Sequence, residues 1–234
     1  MGEAESNPEL QSNGATEISD WTDLNDIRND LTGDYVLVSD LNENTAGYDT
    51  YVDTADGWDS IGGLNDGFKG SLNGQGFTIN DLLIDRPDSN YQALFSFSSG
   101  DISNVSLENV NITGQALVGG LVAENSGTVS NSYVTGEINS TTGDTSPSNA
   151  GGLVGYNYNV IEDSYSNGYV NGSTSVGGLV GKNEGNIDDS YSTSNVNGDP
   201  YNCGGLVGSN EGYINNTYAT GDVTVSGDHS QGDA

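Results

Sequence analysis

Positive charge is what this chain lacks most. Four basic residues, Arg28, Lys69, Arg86 and Lys182, stand against thirty-four Asp and Glu, giving a formal net charge of -30 over 234 residues. Nucleic acid and anionic lipid are poor partners for such a surface, because binding phosphate takes clustered Lys or Arg. Cysteine and histidine are almost absent as well, with only Cys203 and His229. That leaves no internal disulfide, no persuasive Ser-His-Asp constellation and no His/Cys zinc site. No run of eighteen apolar residues occurs, so no membrane-spanning helix is expected. Only 32% of residues are hydrophobic, too few for one rounded core at this length. A thin, elongated core is the alternative.

The acidic excess goes far beyond what solubility requires. Self-repulsion on that scale opposes a compact state in dilute buffer, and concentrated salt removes it, since the Debye length falls to about 3 Å at 1 M. The composition therefore fits a protein of a salt-loving organism. The leader MGEAESNPELQSNGATE is polar and has no apolar core, so it reads as a flexible segment rather than a signal peptide. The expected location is extracellular or at the cell surface.

What the chain has in quantity is repetition, and repetition decides the fold before any local element does. VGGLVAENSGTVSNSYVTGEI from Val118 returns as AGGLVGYNYNVIEDSYSNGYV from Ala150, VGGLVGKNEGNIDDSYSTSNV from Val176 and CGGLVGSNEGYINNTYATGDV from Cys203. Leu121, Leu153, Leu179 and Leu206 mark the copies at intervals of 32, 26 and 27 residues. A degenerate copy puts Leu94 a further 27 residues upstream, and FKGSLNGQGFTINDLLI reads as a first coil. Each copy holds short alternating stretches between Gly, Asn and Asp, which read as strands joined by tight turns. A unit this small cannot bury its apolar side alone, so the copies must stack, each shielding the next. The expectation is an all-β chain, a parallel β-helix (β-solenoid) of about five to six coils with a short N-terminal capping helix. Cys203 takes the slot of Val118, Ala150 and Val176, and reads as a small core residue.

The pattern GGLVGxNxGxIxxSYxxGxV resembles the GLUG motif of repeat regions in surface and secreted proteins of bacteria and halophilic archaea. Upstream, ISDWTDLNDIRNDLTGDYVLVSDLN, GWDSIG and FKGSLNGQGFTI are similar to the segment that precedes such repeats. The resemblance covers roughly residues 18 to 224 and implies a β-helical surface protein, without implying an activity. Ala123 departs from a Gly slot, and Ser194-Asn195 from a Gly-acidic one.

The expected organisation is a flexible leader over residues 1–18, a cap helix and first coil over 19–90, repeats over 91–224 and a flexible tail over 225–234. Asp20 can cap a helix that puts Leu24, Ile27 and Leu31 on one side, with Gly33 as its stop. That helix would cover one end of the solenoid. The other end, running into TVSGDHSQGDA, has no such cover, and self-association through it is expected.

Function divides into two classes. A carbohydrate-active β-helix enzyme, a polysaccharide hydrolase or lyase, needs an acid-base constellation. Glu162, Asp163, Asp188 and Asp189 are carboxylate candidates, yet they fill a slot that holds Ser130-Asn131 and Asn215-Asn216 in other copies, so they read as turn residues. No enzyme is expected. The favoured class is a structural or adhesive module binding glycan, cell surface or neighbouring subunits. Tyr133, Tyr165, Tyr191 and Tyr218 recur at one slot and form a column; alternation places Val105 and Leu107 inside, and so the tyrosines outside as candidate binding residues, the alternative being that they turn inward or stack on one another to hold the coils together. No cofactor is required, but Asp40, Asn42, Asn44, Asp49, Asp53, Asp56 and Asp59 give one loop the oxygen ligands of a Ca²⁺ site. Specific sites could sit on that acidic loop, or on the insertion NSTTGDTSPSN. Asn104, Asn111, Asn139, Asn171 and Asn215 open glycosylation sequons, with Asn139 and Asn171 expected in exposed turns.

Overall fold

Every paired strand in the computed structural model, which describes residues 14–141, 148–198 and 202–225, runs parallel to its neighbour, bar one isolated bridge between Gly57 and Ile84. One coil shows the plan. The chain forms strand Val122–Asn125, turns, forms Thr128–Ser130, turns again, and forms the long strand Tyr133–Ser140 before climbing to the next level. Corresponding strands of successive coils then pair. The side carrying Val122–Asn125 stacks five strands, from Phe95–Ser98 to Val207–Asn210. The side carrying Thr128–Ser130 stacks eight, and the long side nine segments. Asn149–Gly151, Ser175–Gly177 and Asn202–Gly204 add a short fourth side. This is a parallel β-solenoid.

Side chains repeat with the coil, so the core is a set of columns. Leu72, Ile102, Val129, Ile161 and Ile187 form one, Ile112, Ile138, Val170 and Val196 another, and all are buried. Leu94, Leu121, Leu153 and Leu179 are fully buried at the corner their motif marks. Cys203 extends the Ala150–Val176 column and packs partly buried against the core, as its slot predicted.

Polar motif positions are used as completely. Asn125, Asn157, Asn183 and Asn210 form an amide ladder in which each Nδ2 donates to the next Oδ1 at 2.8 Å. Ser132, Ser164 and Ser190 form a second ladder, each Oγ accepting a backbone N–H of the coil before it at 3.1 Å. Glycine is required where coils touch: a Cβ on Gly178 would lie 2.1 Å from Gly205 O. At Asn104, Asn131, Asp163, Asp189 and Asn216 the backbone is left-handed, with φ between 46° and 53°. Asn and Asp tolerate that conformation best after Gly, which accounts for the slot's alternation between the two.

The cap is built as the spacing predicts, but shorter. Asp20 Oδ1 accepts from Thr22 N and Asp23 N, starting helix Trp21–Asp26; a 3₁₀ turn, Ile27–Asn29, ends it well before Gly33. Leu24 and Ile27 are fully buried and Leu31 partly so. The main plug is Trp21, whose ring meets Trp58 and Tyr48 at 5.8 Å and whose Nε1 donates to Asn42 O. One boundary moves. Strand Thr16–Ile18 pairs with Asp34–Leu37, so order begins inside the segment read as a flexible leader, and the N-terminal region contributes its own levels to the eight-stranded side. The expectations for residues 1–13, the centre of NSTTGDTSPSN and the tail from residue 226 fall outside the described residues.

Candidate functional site

The long side bends at glycine. Gly136 (φ 136°) and Gly168 (φ 149°) take a backbone that other residues rarely adopt, and a Cβ on Gly168 would lie 1.9 Å from Gly136 O. Each of these two long strands therefore has two arms.

On the first arm stand the four tyrosines. Tyr133, Tyr165, Tyr191 and Tyr218 are in register, and their rings stack at 4.7, 4.8 and 4.8 Å with planes 8°, 4° and 3° apart. Val105 and Leu107 are buried, and the intervening Val134, Ser166 and Ser192 point inward, so the column lies on the outside, as alternation predicts. Stacking leaves three rings half-buried and Tyr218, on the last described coil, 55% exposed. Tyr133 Oη donates to Glu108 Oε1 at 2.5 Å. Burial between neighbours, then that carboxylate, push the Tyr133 phenol up; burial also raises Tyr165. Both hydroxyls stay protonated at neutral pH, with that of Tyr133 already spent on Glu108.

Past the bend runs a groove of about 490 Å³ lined by Asn109, Val110, Asn111, Gly136, Glu137, Gly168 and Tyr169. A second, of about 240 Å³, continues it past Tyr169 along Asn195, Asn197, Asp222 and Thr224. Asn111, Glu137, Tyr169 and Asn195 are successive register partners, so amide, carboxylate and phenol line up along the solenoid axis. Tyr169 is 54% exposed and unstacked. The sequence marks it only as a tyrosine directly after the bend glycine, where the other copies hold Glu137 and Asn195, and it went unremarked because it breaks the repeat.

Several polar side chains of the acidic loop have partners of their own. Asp40 Oδ1 is spent on Thr78, accepting from its N and Oγ1. Asn42 Oδ1 accepts from Asn44 N, closing a local turn. Asp49 lies in the short helix Tyr48–Tyr51, and Asp59 faces Arg28 at 3.7 Å and Arg86 at 3.9 Å. Among the described residues no group of three or more His, Cys, Asp or Glu is placed to hold a metal ion. The two arginines, far apart in sequence, instead clamp backbone: Arg28 donates to Ser60 O and Asp59 O, and Arg86 to Trp58 O and Gly57 O. The carboxylates weighed for glycoside hydrolysis are likewise turn residues: Glu162 and Asp188 end paired strands, and Asp163 and Asp189 hold the left-handed corner. Asn139 and Asn171 lie in strands rather than in exposed turns, with Asn171 Nδ2 donating to Asn139 Oδ1 at 2.8 Å.

No helix among the described residues is long and apolar enough to cross a membrane. The chain is 33% identical over 129 residues to Halomucin of the halophilic archaeon Haloquadratum walsbyi, covering 53% of this chain and 1% of that protein. It is 38% identical over 143 residues to a provisionally named Gly-rich membrane protein of Evansella cellulosilytica, covering 56% of this chain and 16% of that one. The chain thus spans only a small part of these relatives. In fold it is similar to a provisionally named immunoglobulin A1 protease from Bacteroides ovatus, with a TM-score of 0.71 at 21% identity over 89% of this chain and 67% of that one. The GLUG motif matches residues 114–139, 146–171 and 172–197, and the copy from Cys203 carries the same ladders one level further. Three GLUG motifs, stacked as successive coils of a parallel β-solenoid, form the body of this chain.

Proposed function

We propose that this segment is a structural and adhesive module of a surface protein of a halophile, which holds extended glycan along the tyrosine-edged groove of its long side. One observation carries the reading: a stacked tyrosine column and an Asn/Glu/Tyr-lined groove run side by side along the solenoid axis, across several coils. Sugar rings present apolar faces and hydroxyl edges, and a phenol face beside amide and carboxylate groups offers a partner for each. A repeating polymer also suits a wall that repeats. The likeness to Halomucin supports the halophile and the repeat architecture, while the likeness to the Bacteroides ovatus protein supports the fold alone.

A glycan array probed in molar KCl is the test. Wild-type protein should retain a set of glycans that Tyr169→Ser and Glu137→Gln lose, with melting temperatures unchanged. Binding that survives both substitutions, or no binding at all, would remove the groove from the proposal.

A further inference from the structure

The five-stranded side carries a second cluster of rings that belongs neither to the tyrosine column nor to the groove. Its outward register column reads Phe97, Glu124, Tyr156, Lys182 and Ser209. Each aromatic member carries another ring: Tyr91 packs on Phe97 at 4.7 Å, and Tyr158 stacks on Tyr156 at 4.1 Å. Glu124 lies between the two pairs. Tyr91 is held there in a left-handed conformation (φ 61°), which is costly for an aromatic residue and is fixed by its N–H donating to Ala116 O at 2.9 Å.

The same column shows what such a surface holds. One level beyond Tyr156, the Lys182 ammonium sits 5.0 Å from the Tyr156 ring centroid, 2.8 Å from Glu184 Oε1 and 3.1 Å from Glu211 Oε1. One cation thus takes one aromatic face and two carboxylates. Glu124 repeats the ingredients, carboxylate and rings, without the cation. Among the described residues the Glu124 carboxylate makes no hydrogen bond or ion pair, and the side chain is half-buried. The two carboxylates differ as this predicts: the Lys182 hydrogen bond holds Glu184 below the usual range, whereas desolvation pushes Glu124 up. The Glu124 charge also reaches the Tyr91 phenol.

We propose that Glu124, Tyr91 and Tyr158 form a site for an alkylammonium group, the side-chain end of a lysine presented by a partner protein. The rings favour an organic cation with apolar methylenes over K⁺ or Na⁺, because those ions bring a tight hydration shell that the aromatic faces cannot replace. That preference lets the site operate in brine, where purely coulombic attraction is screened.

The test titrates n-butylammonium chloride into the protein in molar KCl and follows the tyrosine ring signals by NMR, with n-butanol as the neutral probe. Saturable shifts confined to Tyr91, Tyr156 and Tyr158 are expected with the amine and not with the alcohol. Glu124→Gln, which keeps the shape and removes the charge, should weaken binding about tenfold or more, as loss of one close charge partner does. Tyr158→Leu, altering the exposed ring, should weaken it while the fold is retained. Three results would overturn the site: no saturation, equal binding of the alcohol, or a Glu124→Gln titration matching wild type. Since neither variant touches the groove, glycan binding should persist in both, which separates failure here from failure of the adhesive reading.

Discussion

Replacing Asn157 by leucine should be among the most damaging single changes in the solenoid. The side chain is fully buried, accepts from Asn125 Nδ2 at 2.8 Å, and donates to Asn183 Oδ1 at 2.8 Å and Asn159 O at 3.0 Å. Leucine keeps the volume, so no cavity is opened and the loss is polar. Three hydrogen bonds at about 1 kcal/mol each give about 3 kcal/mol, and leaving Asn183 Oδ1 without its donor inside the core adds about 1–2 more. The expected cost is about 4–5 kcal/mol. Asn210 is the control, since it occupies the same slot on the last described coil, is exposed, and has water to replace its partners. Asn210→Leu should cost about 1 kcal/mol. Urea unfolding in molar KCl, followed by circular dichroism, measures both. Equal losses at the two positions, or a loss below about 1 kcal/mol at Asn157, would show that the ladder is passive filling and that the hydrogen-bond argument is wrong.

Four further outcomes are expected. Folded content should rise steeply between dilute buffer and molar KCl, because screening removes repulsion among some thirty excess charges; equal stability at both ends would refute a halophilic surface. Tyr165→Ser with Tyr191→Ser breaks all three ring stacks, at about 0.5–1.5 kcal/mol each, so the melting temperature should fall measurably. Tyr165→Phe with Tyr191→Phe should leave it unchanged. Asp20→Ala should cost about 1 kcal/mol in a thermal melt, through loss of the cap over Trp21–Asp26. Glu124 is raised by desolvation, so its ionisation opposes folding: its contribution is most favourable below the unfolded carboxyl range and is lost as pH rises through the folded value. Glu124→Gln should therefore stabilise at neutral pH relative to wild type, and the difference should vanish in acid.

The solenoid was legible because its cause is local and repeated. A Leu every 26 to 32 residues, with Gly-Gly before it and Ser-Tyr or Thr-Tyr after, allows few arrangements other than coils in register. The helix at Asp20 was legible for the same reason, its cap and apolar spacing lying within a few residues. Illegible parts rest on contacts between distant levels. Arg28 and Arg86 meet at Asp59 only once the chain has turned, and Asp40 accepts from Thr78, thirty-eight residues away, so the partners of the acidic loop could not be read from its own spacing. Tyr169 and Glu124 are illegible because repeat logic reads equivalent slots, and both sit in columns that vary from coil to coil. Tyr169 stands among Asn and Glu, and Glu124 among Phe, Tyr, Lys and Ser.

The coil-to-coil hydrogen bonds carry a mechanical consequence. They point along the axis of the rod, so tension applied to the two chain ends loads the terminal coil in peeling, while every inner coil is still held on both faces. Failure should run inward one level at a time. A 26-residue coil pulled straight lengthens the tether by up to about 85–90 Å. A rod built this way yields by paying out its length in near-equal increments, and a peeled coil can wind back onto the still-folded level below it when the load drops.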